Sequence, residues 1–172
     1  MNCDCGAAVA SEDGPSHAYM SALPACWRSY GELMARLSAH GVSAPLHMDA
    51  YAAQHPGNAL QDRRQRGSVA VHLIVLGAHF DFGLPLSHLP RFRSSVSSTL
   101  LPRVGLQDWP ALEPPKTWGE LHAPGILCLA EDDLQSAISH WAAQVWEVWA
   151  RQDTPVLGWI QILMEADRKR YG

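Results

Sequence analysis

Cysteine and histidine are the residues of this 172-residue chain best suited to hold an ion or move a proton, and they are unevenly placed. Cys3, Cys5 and Cys26 stand within the first 26 residues, with His17 between them. The spacing runs Cys3-x-Cys5, eleven residues to His17, then eight more to Cys26. Three thiols and an imidazole are the soft and borderline donors of a Cys₃His zinc site. Gly6 and Gly14-Pro15 provide the sharp turns that bring ligands from both ends of a loop onto one ion. With a single intervening residue, the Cys3/Cys5 pair is tighter than the usual C-x₂-C, and the alternative reading is a frayed tail with incidental cysteines. Cys26 falls in the first turn of an expected helix, where backbone amides favour a thiolate. Cysteine is also a common small core residue.

A second concentration lies in P-L-H-M-D-A-Y-A-A-Q-H-P, residues 45–56. Pro45 suits a first helical position, and Pro56-Gly57 stops a helix at or before His55. His47, Tyr51 and His55 then recur at i, i+4 and i+8, so one face carries two imidazoles and a phenol. Asp49 sits in the first turn, favoured by the helix dipole, and points off that face. His72 lies within the apolar run S-V-A-V-H-L-I-V-L, where an unpaired imidazole is costly and must bond or ligate something. A shared ion or polar ligand satisfies several imidazoles at once. The expectation is a catalytic pocket made by His47, Asp49, Tyr51, His55 and His72. The alternative places His47 and His55 in solvent at the two ends of a short helix.

Five apolar stripes at helical spacing must position these groups. Trp27, Tyr30, Met34 and Leu37 mark a helix from Pro24 to about His40-Gly41. The 45–56 helix follows, then one carrying Val69, His72, Leu73, Leu76, His79 and Phe80 and ending at Gly83. Residues 83–125 hold seven of the twelve prolines and the run R-S-S-V-S-S-T. They read as a long cover loop in which Leu106, Trp109 and Trp118 pack over the helices, because loops beyond about 12–15 residues in a compact domain usually serve as lids. Asp132 is the expected cap of a helix with Leu134, Ile138, Trp141, Val145, Val148 and Trp149 on one side. Thr154-Pro155 opens the last helix, with Val156, Trp159, Ile160, Leu163 and Met164. The Trp141, Trp149 and Trp159 stripe reads as core before ligand wall, with His140 and Gln144 beside it. The predicted fold is all-α: a four- to five-helix bundle with an N-terminal metal-binding loop and a long Pro-rich cover loop. It is expected as a single domain, 1–172, in segments 1–26, 27–82, 83–125 and 126–172.

Charged residues make up 17 % of the chain and hydrophobic ones 47 %, which fits an ordinary globular interior and argues against disorder. The formal net charge of −4 argues against nucleic acid, which calls for clustered Lys and Arg. Arg63-Arg64-Gln65-Arg66 and Arg168-Lys169-Arg170 read as solvated helix ends. No apolar run reaches the ~18 residues of a membrane span, and the N-terminus has no leader pattern. A cytoplasmic setting follows, in which thiols stay reduced and serve a metal.

P-A-C-W-R-S-Y-G-E, H-M-D-A-Y-A-A-Q-H-P and S-V-A-V-H-L together resemble an uncharacterised bacterial family of unknown function that opens C-x-x-C-G and continues P-G-C-W-x-x-Y-G-E and D-A-Y-x-x-Q-H-P. The resemblance runs from Cys5 to about Trp149. It places Cys5, Cys26, His47, Asp49, Tyr51, Gln54, His55 and His72 on motif positions. The family's first cysteine falls on Asn2, with Cys3 one residue off. The resemblance implies no activity. Two classes of function stand side by side. One is a metal-dependent enzyme acting on a small molecule, with zinc or another divalent transition metal held by the histidines. The other is a non-catalytic binding or interaction protein with a structural zinc alone. Oligomeric state is open.

Overall fold

The structure, a computed structural model, describes residues 1–105, 111–151 and 156–171. Leu106, Trp109 and the Thr154-Pro155 cap lie outside them. Among the described residues there is no strand, only an isolated antiparallel bridge between Asn2 and Ala8, and the architecture is all-α.

Helix α1 (Pro24–Ala39) begins with proline at its first turn and an extended Leu23 before it. The helix is where its periodicity puts it, but its core face is rotated from the expected stripe. Cys26, Tyr30, Leu33 and Leu37 are buried, whereas Trp27 is half-buried and Met34 exposed. Helix α2 (His47–Gln54) starts two residues after Pro45, so this proline lies in the preceding turn. Every residue from Asp49 to Gln54 is buried. A two-turn helix exposed only at Met48 in its first turn is held by tertiary packing, not by propensity. It packs against α3 (Arg63–Phe80) on one side and α7 (Leu134–Ala150) on another.

Asp62 caps α3 by accepting from the amides of Arg64 and Gln65 at 2.8 and 2.9 Å. Further along, Gly77 is the point where α3, α7 and α8 (Val156–Tyr171) meet. A Cβ there would stand 2.2 Å from Ile160 Cδ1 and 2.7 Å from the Trp146 ring.

The 83–125 segment departs from expectation in its first half. A 3₁₀ turn at Leu86–His88, helix α4 (Leu89–Ser95), a π turn at Val96–Leu100 and helix α5 (Leu101–Arg103) run on without a break. Leu89, Phe92, Val96 and Leu100 are fully buried in the core. The prolines misled because Pro90 and Pro102 stand in the first turns of α4 and α5, where proline is tolerated, and a π turn precedes Pro102. The serines are accommodated by bonding back along the helix: Ser95 to Phe92 O at 2.9 Å and Ser98 to Ser94 O at 2.7 Å. Residues 111–122 carry no helix and retain the cover role, with Leu112 buried and Trp118 half-buried near Trp149. Helix α6 (Ala123–Leu127) then packs on α1.

Helix α7 is preceded by a 3₁₀ turn at Glu131–Asp133. Asp133, not Asp132, is its flanking residue, and no side-chain cap bond forms. Its tryptophans are core. Trp141 donates to Gln54 Oε1 at 3.0 Å, and Trp149 donates to the Ala53 carbonyl at 2.9 Å. The Ala53 carbonyl lies at the end of α2, where helix carbonyls lack partners of their own. His140 is exposed, and Gln144 accepts from the Leu121 amide at 3.4 Å.

Candidate metal centre

The first nine residues fold back on themselves. Cys3 N donates to Ala7 O and Gly6 N to Cys3 O, both at 2.9 Å, and Val9 N reaches Met1 O at the same distance. Gly6 adopts φ +88°, a left-handed conformation open to glycine, and this turn puts the thiols of Cys3 and Cys5 on one side despite the single residue between them. The Leu23 amide, just ahead of α1, points at Cys3 Sγ at 3.4 Å.

Cys26 approaches from the first turn of α1, and His55 from the residue that ends α2. Cys5 Sγ to Cys26 Sγ is 3.8 Å, and His55 Nε2 stands 3.5 Å from both Cys3 Sγ and Cys26 Sγ. All four donor atoms lie within 4.8 Å of one another, and all four residues are buried. A tetrahedral zinc ion with Zn–S of about 2.3 Å and Zn–N of about 2.05 Å has S···S edges of about 3.8 Å and S···N edges of about 3.6 Å. The Cys5–Cys26, Cys3–His55 and Cys26–His55 separations match these edges, and every donor pair lies within 4.8 Å.

The His55 ring is oriented for ligation by its other nitrogen. Nδ1 donates to the Tyr51 carbonyl at 2.8 Å, which leaves the Nε2 lone pair facing the sulfurs. Metal-bound histidines are held by this kind of outer bond. The Tyr51 hydroxyl donates to Cys26 Sγ at 3.7 Å, and its ring stacks on Tyr30 with centroids 3.9 Å apart.

The electrostatics describe a site built for negative charge to be neutralised. Contacts from the Cys26 and Cys5 thiols pull the Cys3 thiol far below its ordinary range, against its burial. The same neighbours, Cys26 then Cys3, push Cys5 far up. Burial works against a charged His55, but contacts with Cys26 and Cys3 outweigh it and hold the imidazole up to about 9. Burial, then Cys26, pushes the Tyr51 phenol up. An arriving cation would displace the protons held at such a site.

His17, the expected fourth ligand, is not in this group. It accepts from the Tyr19 amide at 3.2 Å and packs its ring on Trp27 at 5.2 Å. His55, assigned from sequence to a separate pocket, is the group's imidazole.

The remaining members of that pocket have partners of their own. His47 Nδ1 bonds the Tyr30 hydroxyl at 2.8 Å, and burial pushes its pKa down, with Asp49 opposing. His72 Nδ1 bonds Asp49 Oδ1 at 2.8 Å. Asp49 is fully buried and also takes Arg93 through two bonds, one to Oδ1 at 2.9 Å and one to Oδ2. Arg93 further donates to the Pro45 carbonyl at 2.9 Å. His79 bonds the Leu84 carbonyl at 2.8 Å. Among the described residues, Cys3, Cys5, Cys26 and His55 are the one group of Cys, His, Asp and Glu able to close on an ion. Arg93 escaped the sequence reading because it lies in the segment taken for loop. The one signal for it was Asp49 itself, since a carboxylate buried in a helix demands a counter-ion.

Fold and centre together define an all-α protein whose N-terminal tail meets two helices at a buried Cys₃His cluster fit for a metal ion. The chain belongs to a family of unknown function, DUF5946, whose model matches residues 1–150. No curated protein and no solved structure matches it.

Proposed function

We propose that Cys3, Cys5, Cys26 and His55 bind one zinc ion in a closed tetrahedral site, and that this ion is structural, in a protein whose role is binding or interaction and not metal catalysis. The observation that carries this is the match of the 3.8 and 3.5 Å donor separations to the edges of a zinc tetrahedron, with all four donors supplied by the protein. Catalytic zinc keeps a position open for water or substrate, and structural zinc does not. Thiolate-rich ligation favours zinc over the hard divalent ions. The ion would tie the tail to the start of α1 and the end of α2, three pieces of chain with no continuous backbone hydrogen bonding between them. The reading as a metal enzyme through His47, His55 and His72 has less support, since those imidazoles are bonded to Tyr30, the cysteines and Asp49 respectively.

Metal analysis of the purified chain and its variants tests this. One zinc per chain is expected, retained in His17→Ala and His47→Ala and lost in Cys26→Ala and His55→Ala. Retention in His55→Ala with loss in His17→Ala would overturn it.

A further inference from the structure

Helix α1 has a second face, formed by Trp27, Tyr30, Gly31 and Met34 at i, i+3, i+4 and i+7. It is turned toward the tail and lines a cleft of about 380 Å³ whose other wall is Glu12, Asp13, Gly14 and Pro15. This volume falls within the about 300–1,000 Å³ of small-molecule sites. Gly31 is an interior helical glycine, at a cost of about 1 kcal/mol relative to alanine. A Cβ there would meet nothing within 4 Å, so the missing side chain leaves room in the cleft and relieves no clash.

The walls are fixed. Arg28 holds both oxygens of Glu12 at 2.9 and 2.8 Å, and Gly14 lies against Pro24. His17 backs the Trp27 indole. The charge of the lining is negative: Glu12 and Asp13 stand against the single Arg28, which bonds both oxygens of Glu12 and also Glu32 outside the cleft, leaving Asp13 as the carboxylate that Arg28 does not bond. Aromatic rings under a carboxylate rim attract an organic cation through the ring faces and repel an anion.

We propose that this cleft binds a small organic ammonium ion of the alkylated-amine class, its cationic head against Trp27 and its charge balanced by Asp13. Because the cleft's tail wall follows Cys3 and Cys5 in the chain, a bound metal strengthens the site, a link that rests on the structural-zinc reading.

Calorimetry on the zinc-loaded full chain tests it, with choline as probe and 3,3-dimethylbutan-1-ol as the neutral isostere. Choline is expected to bind saturably and about tenfold or more tighter than the isostere. Gly31→Leu, which fills the cleft from an exposed helical position, is expected to remove choline binding while zinc content and melting temperature stay near wild type. Stripping zinc is expected to weaken it. Equal affinity for the two probes, or choline binding unchanged in Gly31→Leu, overturns the site. Binding unchanged after zinc removal overturns the link to the metal. A chain that holds zinc but ignores choline overturns the cleft and leaves the metal reading standing.

Discussion

Asp49 shows most clearly what a single residue does here. A buried carboxylate is tolerable because Arg93 and His72 both bond it, and breaking such a group by removing one partner typically costs about 3–5 kcal/mol. Asp49→Ala and Arg93→Ala are each expected to lower unfolding stability by that order in urea titration. The double variant should lose far less than the sum, because the second removal strands no further charge. A neighbouring effect is pH-dependent. His47 is held neutral by burial, its folded pKa below the ordinary value. As pH falls through about 6.5 the unfolded chain takes up a proton that the folded His47 refuses, so stability declines on the acid side. His47→Phe should flatten the wild-type loss of stability between about pH 7 and pH 5. An identical slope in both proteins would show that His47 does not set it.

Among the elements, α2 is the one the others enclose. Its last carbonyls go to His55 Nδ1, the His55 amide and the Trp149 indole, so the end of the helix is capped by the proposed ligand and a core tryptophan. Two glycines in longer helices make opposite predictions. At Gly77 a methyl group meets Ile160 and the Trp146 ring well inside contact distance, so Gly77→Ala should destabilise by about 1–3 kcal/mol through overpacking. At Gly31 the added methyl meets nothing, so Gly31→Ala should stabilise by up to about 1 kcal/mol through helix propensity alone. Melting curves of the two variants should move in opposite directions, and a shift of the same sign would contradict the packing described for α3.

Across the whole molecule, what could be read from sequence was what local periodicity encodes. Helices at 24–39, 63–80 and 134–150 follow from apolar spacing, and the Cys3, Cys5 and Cys26 trio from the turn residues around it. What could not be read was which distant groups the chain returns to one another. His17 lies closer in sequence to the cysteines than His55 does, yet the end of α2 delivers His55 because Pro56 stops the helix there and Tyr51 O fixes its ring. The 86–103 helical stretch was hidden by proline and serine, whose composition argues for loop although their positions, first turns and back-bonded hydroxyls, suit helix. Arg93 was hidden with it. The core then depends on a tail of 23 residues without helix that is joined to it at the cysteine cluster. Chelation should therefore lower the melting temperature of the whole chain by several degrees, since several kcal/mol of site formation is coupled to folding. An unmoved transition would contradict that coupling.

X-ray absorption at the zinc edge of the purified protein tests the central claim most directly. The account predicts a first shell of three sulfurs at about 2.3 Å and one nitrogen at about 2.0 Å, with the nitrogen contribution lost in His55→Ala and kept in His17→Ala. A shell dominated by nitrogen and oxygen at about 2.0–2.1 Å, or protein that carries no zinc, would contradict it.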